Sequence, residues 1–352
     1  MDGISFSVEK GEFYVIMGPS GSGKTTLLKC IAGLLMPEAG KIVLDGVDIT
    51  DVPPHKRNTS LIFQDYALFP HMTVGENVEF GLKLKKLDKD TIKSEVKHTL
   101  GVIGLAGFED RMPRELSGGE KQRVAVARSL VLKPKLLLYD EPLANLDYRL
   151  QRKMEEELKS IHEEFGLTSV YITHNQEQAL SLGDRLMVIN KGVIEQVGNT
   201  DEIYLGPENV FTARFLGEIN VLNGKVAGKE GEFVRVATEE GSFLGRGHGT
   251  FEANAQVFYC VRPEKLRVGT APPRENSASA KVVTTIYRGT EAEVILAFNH
   301  ENRVKYIAYD VTPGTFKEHE ALNIHWRPED AVVLSEVSKV KDIDIDKLIY
   351  GS

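Results

Sequence analysis

Along the first part of the chain, short apolar runs alternate with segments of helical periodicity. The runs at 13–17 (FYVIM), 135–139 (KLLLY) and 169–173 (SVYIT) are continuous rather than alternating, the pattern of strands covered on both faces. Between them the spacing predicts helices from about Gly23 to Gly33, from Ser117 to about Leu132 and from Asp147 to about Phe165. Strand, helix, strand in this order up to about residue 216 predicts a parallel sheet with crossover helices. Residues 81–98 carry six lysines over a helical apolar spacing, which predicts a helix with a solvated basic face. Beyond Asn220 the period falls to two. FVRVA, QVFYCV, AEVILA, RVKYIA and LNIHW read as short strands, with Ala292, Val294 and Leu296 on one face and Glu291 and Glu293 on the other. This half is expected to be an all-β barrel or sandwich, with residues 271–280 (APPRENSASA) as an exposed loop.

A length of 352 residues favours two domains, and 41% hydrophobic with 27% charged residues is the make-up of a folded globular chain. Forty-three basic against 51 acidic residues leave a net charge of −8, so no overall excess of positive charge is available to grip a nucleic acid. No apolar stretch reaches the roughly 18–20 residues of a membrane-spanning helix, so any membrane span must come from a partner. Two cysteines, Cys30 and Cys260, make no disulfide framework, and no basic start leads into an apolar run, which points to the reducing cytoplasm.

The candidate chemistry begins where the first strand ends. Gly18, Pro19, Ser20, Gly21, Ser22, Gly23, Lys24 and Thr25, followed by Thr26, fit the G-x-x-x-x-G-K-[ST] phosphate loop between a strand and a helix. Glycines let successive N–H groups face one concavity, and the helix adds its positive end. Lys24 is expected on the β- and γ-phosphates and the Thr25 hydroxyl on Mg²⁺. The run 136–141 (LLLYDE) ends a second strand in two acids, with Asp140 the metal candidate and Glu141 the general-base candidate. Between these two motifs, Ser117 and Glu120 have capping-box spacing around Gly118 and Gly119, giving a second helix start that can face an anion.

LSGGEKQR at 116–123, between a phosphate loop and a strand ending in DEP, resembles the signature of ATP-binding-cassette (ABC) ATPases. Gln64 in FQDYALFPHMTV resembles that family's glutamine loop, residues 144–147 (ANLD) its D-loop, and His174 in ITHNQEQAL its switch histidine. The resemblance extends over nearly the whole chain, because importer ATPases for sugars, polyamines, ferric iron and sulfate also carry a C-terminal β domain. It implies an α/β P-loop NTPase cassette with a helical subdomain at 1–218 and an all-β, OB-like domain of the TOBE type at 219–352. It also implies ATP and Mg²⁺ bound in a head-to-tail homodimer. Ser117, Gly118 and Gly119 would then meet the γ-phosphate of the opposite subunit, and Asp147 would contact across the dimer. Gln64 would sense Mg²⁺ and the attacking water, Glu141 would polarise that water, and His174 would hold it in line with the γ-phosphate. Integral-membrane permease subunits and, through them, a solute-binding protein are the implied partners, at the cytoplasmic face of the membrane.

Two departures stand out. Seventeen residues precede Gly18, and the family's first strand and adenine-stacking aromatic have no counterpart among them, which leads to the expectation of a shortened start. Ala144 stands where the family commonly has Ser. The alternative is a soluble cassette ATPase that remodels nucleic acid or ribosomes, with the β domain as binder; one cassette, no coiled coil and a net negative charge weigh against it. A small-molecule kinase has no use for LSGGE. For the solute, residues 327–334 (RPEDAVVL) and 287–294 (YRGTEAEV) resemble polyamine and ferric-ion importers slightly more than sugar importers.

Overall fold

The computed structural model describes residues 3–298 and 302–341, so the part of the expected β domain beyond 341 lies outside the described residues. The chain divides into two compact units, Met1–Thr200 and Asp201–Ser352.

The first unit runs β1 (Phe13–Met17), α1 (Lys24–Ala32), β2 (Val43–Leu44), β3 (Val47–Asp48), β4 (Thr59–Ile62), α2 (Val74–Leu84), α3 (Lys89–Val102), α4 (Gly118–Leu130), β5 (Leu136–Asp140), α5 (Tyr148–Phe165), β6 (Ser169–Thr173), α6 (Gln176–Leu182), β7 (Arg185–Asn190) and β8 (Val193–Asn199). Its main sheet has the order β4-β5-β6-β1-β7-β8, parallel throughout except for the β7–β8 hairpin. Tyr14, Ile16, Leu136, Leu138, Val170 and Ile172 turn to one face and join Leu28 and Ile31 of α1 in a core. Phe13, Tyr139 and Tyr171 turn to the other, where their rings pack together and Phe13 meets His162 of α5. The continuous apolar runs therefore have the cause that the sequence suggested: both faces of the strands are covered.

Helix α1 stops at Gly33, in the left-handed conformation at φ 80°. The Arg57 guanidinium, 1% exposed, fills the space beside that glycine, where any side chain at 33 would collide with it. It donates to the carbonyls of Cys30 (2.7 Å) and Ile31 (2.9 Å) at the end of the helix, and to those of Thr50 and Val52. The last carbonyls of the helix thus gain a charged donor, which for Cys30 adds to the N–H of Gly33.

The lysine-rich stretch 81–98 is not one helix. Lys86 takes a left-handed φ of 60°, and Asp88 caps the second helix by accepting from the Thr91 N–H at 2.9 Å. Helices α2 and α3 both pack on α4, burying Val74, Val78, Ile92, Val96 and Leu100.

Helix α7 (Thr200–Leu205) starts at the boundary, and the second unit continues with α8 (Val210–Phe215). It continues through β9 (Asn220–Glu230), β10 (Phe233–Thr238), β11 (Gly241–Gly247), β12 (Gln256–Val261), β13 (Arg267–Val268), β14 (Asn276–Tyr287), β15 (Glu291–Ala297), β16 (Arg303–Tyr309), β17 (Ala321–Trp326) and β18 (Ala331–Leu334). A closed barrel, β10-β11-β18-β12-β9, and a sheet, β13-β17-β14-β15-β16, share one core in which Phe243, Tyr259 and Trp326 cluster. The polar atoms of this aromatic cluster are paired: Trp326 Nε1 donates to the Tyr259 hydroxyl at 2.7 Å, and that hydroxyl donates to the Leu244 carbonyl at 2.9 Å. The unit starts before residue 219 because Val210 and Ala213 of α8 are buried with Cys260, Val332 and Leu334 of the β strands. The stretch 271–280 is a loop only in its first half. Asn276 onward belongs to β14, with Asn276 and Ala280 buried.

His162 couples α5 to the first sheet. Its Nδ1 and Nε2 meet Ser169 Oγ (3.0 Å) and the Gly11 carbonyl (3.1 Å), a pairing that suits the neutral ring, and burial holds its pKa below the ordinary value. Below about pH 6.5 the unfolded chain takes up a proton that the folded imidazole resists, so this contribution is lost as pH falls from there through the folded pKa. In urea unfolding at pH 7.5 and 5.5, His162→Gln should lose less stability on acidification than the parent; an equal loss would remove His162 from the acid response.

Candidate functional site

Because β4, β5, β6 and β1 are parallel and adjacent, their carboxyl ends share one edge, and the loops that follow them gather there. These four loops hold Gln64, Glu141, His174 and the phosphate loop.

The loop after β1 curls through Gly21 (φ 78°) and Gly23 (φ 101°), both left-handed, and leads into α1 without a side-chain cap. Gly18 is buried where a Cβ would run into the Ile189 carbonyl and lie 2.7 Å from Ser22 Oγ. Pro19, Ser20 and Thr26 lie at or near the surface, whereas Ser22 and Lys24 are buried. Lys24 Nζ donates to the carbonyls of Gly18 (2.8 Å) and Pro19 (2.9 Å), which leaves one of its three protons for another acceptor. Burial lowers the Lys24 pKa, while the charges of Glu141 and Asp140 pull it back up.

Thr25 Oγ1 donates to Asp140 Oδ1 at 3.1 Å, joining the phosphate loop to the end of β5. Burial raises the Asp140 pKa against the lowering by this hydrogen bond, and the neighbouring Glu141 adds to the rise. Glu141 has a left-handed φ of 48°, and its Oε2 lies 2.9 Å from His174 Nδ1. His174 is held from behind: Thr173 Oγ1 accepts from the Asn175 N–H (2.9 Å) and donates to the buried Gln178 Oε1 (2.7 Å), which also accepts from Tyr171. Gln64 is exposed just past β4, and its backbone carbonyl accepts from Asn145 Nδ2 at 3.2 Å. Thr25, Asp140, Glu141 and His174 thus meet beside the phosphate loop, while the hydrogen bond of Gln64 runs from its carbonyl to Asn145 in the segment after β5. Among the described residues no group of three or more His, Cys, Asp or Glu gathers to hold a metal. A hydroxyl and a carboxylate as hard oxygen donors fit Mg²⁺, which takes few protein ligands and keeps waters and phosphate oxygens.

Ser117, Gly118, Gly119 and Asp147 form a second group, with no hydrogen bond or ion pair to the phosphate loop among the described residues. Ser117 caps α4 through a full capping box: its N–H donates to Glu120 Oε2 at 2.7 Å and its Oγ accepts from the Glu120 N–H. Its hydroxyl also donates to Glu120, and these bonds hold that carboxyl below its usual pKa. Asp147 caps α5 by accepting from the Leu150 N–H at 3.1 Å. The two glycines have a packing role that the motif does not reveal. A Cβ on Gly118 would lie 3.0 Å from Leu146, and one on Gly119 would lie 3.1 Å from Leu150 and 3.2 Å from Met154 Sδ.

The site's support was not visible in sequence. Asn145 stands in the sequence only as part of a motif, and Gln178 and Arg128, whose guanidinium donates to the carbonyls of Ala67 and Tyr66, carry no local signal.

A model of the ABC transporter family matches residues 1–144, and a TOBE domain model matches 259–334. The spermidine/putrescine import ATP-binding protein PotA of Nitratidesulfovibrio vulgaris is 40% identical over 341 residues, 96% of this chain and 91% of the relative. The protein of the same name from Clostridioides difficile is 40% identical over 334 residues (95% and 93%), and that of Acidothermus cellulolyticus 43% over 336 (93% and 86%). A solved dimeric post-hydrolysis state of the ATP-binding cassette MJ0796, bound to ADP and Pi, is 33% identical and covers 55% of this chain and 88% of that one, with a TM-score of 0.49.

Gly119→Val should overpack the seam between α4 and α5 and lose about 1–3 kcal/mol. Gly101→Ala, in α3 with nothing within 4 Å of the added methyl, should gain about 0.5–1 kcal/mol. Denaturant unfolding of both variants checks the pair; a neutral Gly119→Val would refute the tight seam.

Proposed function

This chain belongs to the ABC transporter family of ATP-binding subunits, and from that premise we propose how its residues work and what it helps to import. It is the ATP-hydrolysing subunit of an importer, with a TOBE domain after the cassette in sequence. The reading as a remodeller of nucleic acid or ribosomes is set aside, since the relatives are import subunits.

In our reading the N–H groups of Gly21, Ser22, Gly23, Lys24 and Thr25 cradle the phosphates of ATP at the start of α1, with Lys24 on the β- and γ-phosphates. Thr25 and Asp140 hold Mg²⁺, which neutralises charge on the phosphates when bound. Glu141 takes the proton of the attacking water, and His174 keeps water and γ-phosphate in line. Gln64 faces the same water. Ser117, Gly118 and Gly119 receive the γ-phosphate of a second copy bound head to tail, where Asp147 makes its contact. The observation that carries this reading is the meeting of Lys24, Thr25, Asp140, Glu141 and His174 at one sheet edge. Glu141, coupled to His174, is aimed by a backbone conformation that a non-glycine residue adopts only when its surroundings impose it.

The solute is a polyamine, a proposal that rests on the names of the relatives, and the chain acts at the cytoplasmic face of the membrane with permease subunits and a solute-binding protein. No described helix is long and apolar enough to cross a membrane.

Glu141→Gln keeps the shape of Glu but accepts no proton at neutral pH, so it should bind MgATP, slow phosphate release by about 10²–10⁴-fold and accumulate as a dimer. Lys24→Ala should lose ATP affinity first, and Ser117→Arg should bind ATP as a monomer yet fail to dimerise. Size-exclusion chromatography with MgATP beside phosphate release tests all three. A monomeric Glu141→Gln together with a fully active Ser117→Arg would sink the two-copy site. Uptake of labelled spermidine or putrescine by the assembled transporter tests the solute, and uptake unchanged in Lys24→Ala would refute it.

A further inference from the structure

The segment between β4 and α2 carries Gln64 and is tied down at three places. At its start the Gln64 carbonyl accepts from Asn145. At its end the fully buried Asn77 of α2 accepts from the Phe69 N–H (2.8 Å) and donates to the carbonyls of Phe69, Met72 and Thr73. In the middle, Arg128 of α4 reaches it with two arms: Nη1 donates to the Ala67 carbonyl at 2.7 Å and Nη2 to the Tyr66 carbonyl at 2.9 Å. Its guanidinium also stands 5.5 Å from the Phe69 ring centroid.

The two gripped residues are unusual. Tyr66 and Ala67 both have left-handed φ values, 63° and 44°, and neither is glycine. Such a pair persists only where surrounding contacts over-determine it. A planar fork on consecutive carbonyls is suited to that task, whereas the single ammonium of lysine is not. Arg128 also stands on the helix that Ser117 begins, three turns from its start, so a displacement of that end is carried along a rigid rod of about 15 Å to the carbonyls two and three residues past Gln64.

We infer that Arg128 is a positioning residue for hydrolysis: it holds the left-handed Tyr66–Ala67 turn and so couples the Ser117 end of α4 to the side chain of Gln64. The inference rests on the proposed role of Gln64 beside the attacking water.

The test is a double-mutant cycle on the full-length chain assembled with its permease subunits, reading phosphate release and ATP affinity. Arg128→Lys should lower kcat at least 10-fold with KM for ATP within twofold of the parent. In a Gln64→Ala background the same change should cost less than twofold, because Arg128 acts through Gln64. Ala67→Gly, which accepts a positive φ without a clamp, should restore part of the kcat of Arg128→Lys; a residue that merely stabilised α4 would gain nothing from it. Additive effects of Arg128→Lys and Gln64→Ala, or a kcat loss matched by weaker ATP binding and unrelieved by Ala67→Gly, overturn the inference. If Gln64→Ala alone leaves kcat unchanged, the proposed role of Gln64 fails, and the inference falls with it. Should Arg128→Lys fold poorly, the Ala67→Gly rescue is read on folded yield as well as kcat; recovery of yield without kcat counts against coupling.

Discussion

The hydrogen bond from Thr25 to Asp140 spans 115 positions of sequence, and it can form only if the ends of β1 and β5 stand level across the one strand between them. The register provides this: Asp140 pairs with Ile172, and Ile172 with Ile16, so the acid lies one residue short of the end of β1. A slip of one position would turn the whole strand over and carry the Asp140 carboxylate to the opposite face. The two-sided apolar packing of β1, β5 and β6 is therefore what sets the distance between hydroxyl and carboxylate. Parallel pairing does the rest, since it places the loops after all four strands on the same edge.

Charge balance is the second condition at that edge. Lys24 is buried among backbone carbonyls, and burial alone works against its charged form. Asp140 faces the same penalty with opposite sign. Glu141, and after it Asp140, offsets the penalty on Lys24, while on the acid side the hydroxyl of Thr25 comes first, with Lys29 and Lys24 behind it. A site assembled this way is stable as a set, since removing one member leaves the others buried with less relief.

Much of this was legible before any coordinates. The phosphate loop, the acids after β5, the cap at Ser117 and the histidine after β6 all have signatures, because each depends on a few contiguous residues with a fixed local geometry. The boundaries of β1 and β6 were readable for the same reason: the apolar runs end where the strands end. What failed was periodicity in polar or small-residue segments. The lysine run hid a break because charged side chains tolerate helix and turn alike, and only the cap at Asp88 marks the restart. The first residues of β14, Asn276 to Ala280, are asparagine, serine and alanine, whose alternation is too faint to separate strand from loop. The contacts that aim the site, from Asn145 to Gln64 and from Gln178 behind His174, join segments that become neighbours only after folding.

The meeting of Gly33 and Arg57 carries a consequence of another kind. The guanidinium occupies the place that a side chain at 33 would need, and in return it supplies donors to the end of α1. Changing the glycine alone expels the arginine, and shortening the arginine alone leaves a hole beside the helix end and takes the charged donor from its last carbonyls. Neither single step is easy, while a joint replacement can be. Across descendants of this chain the two positions should therefore travel as one inherited pair, held or exchanged together, although neither touches the nucleotide chemistry that selection acts upon.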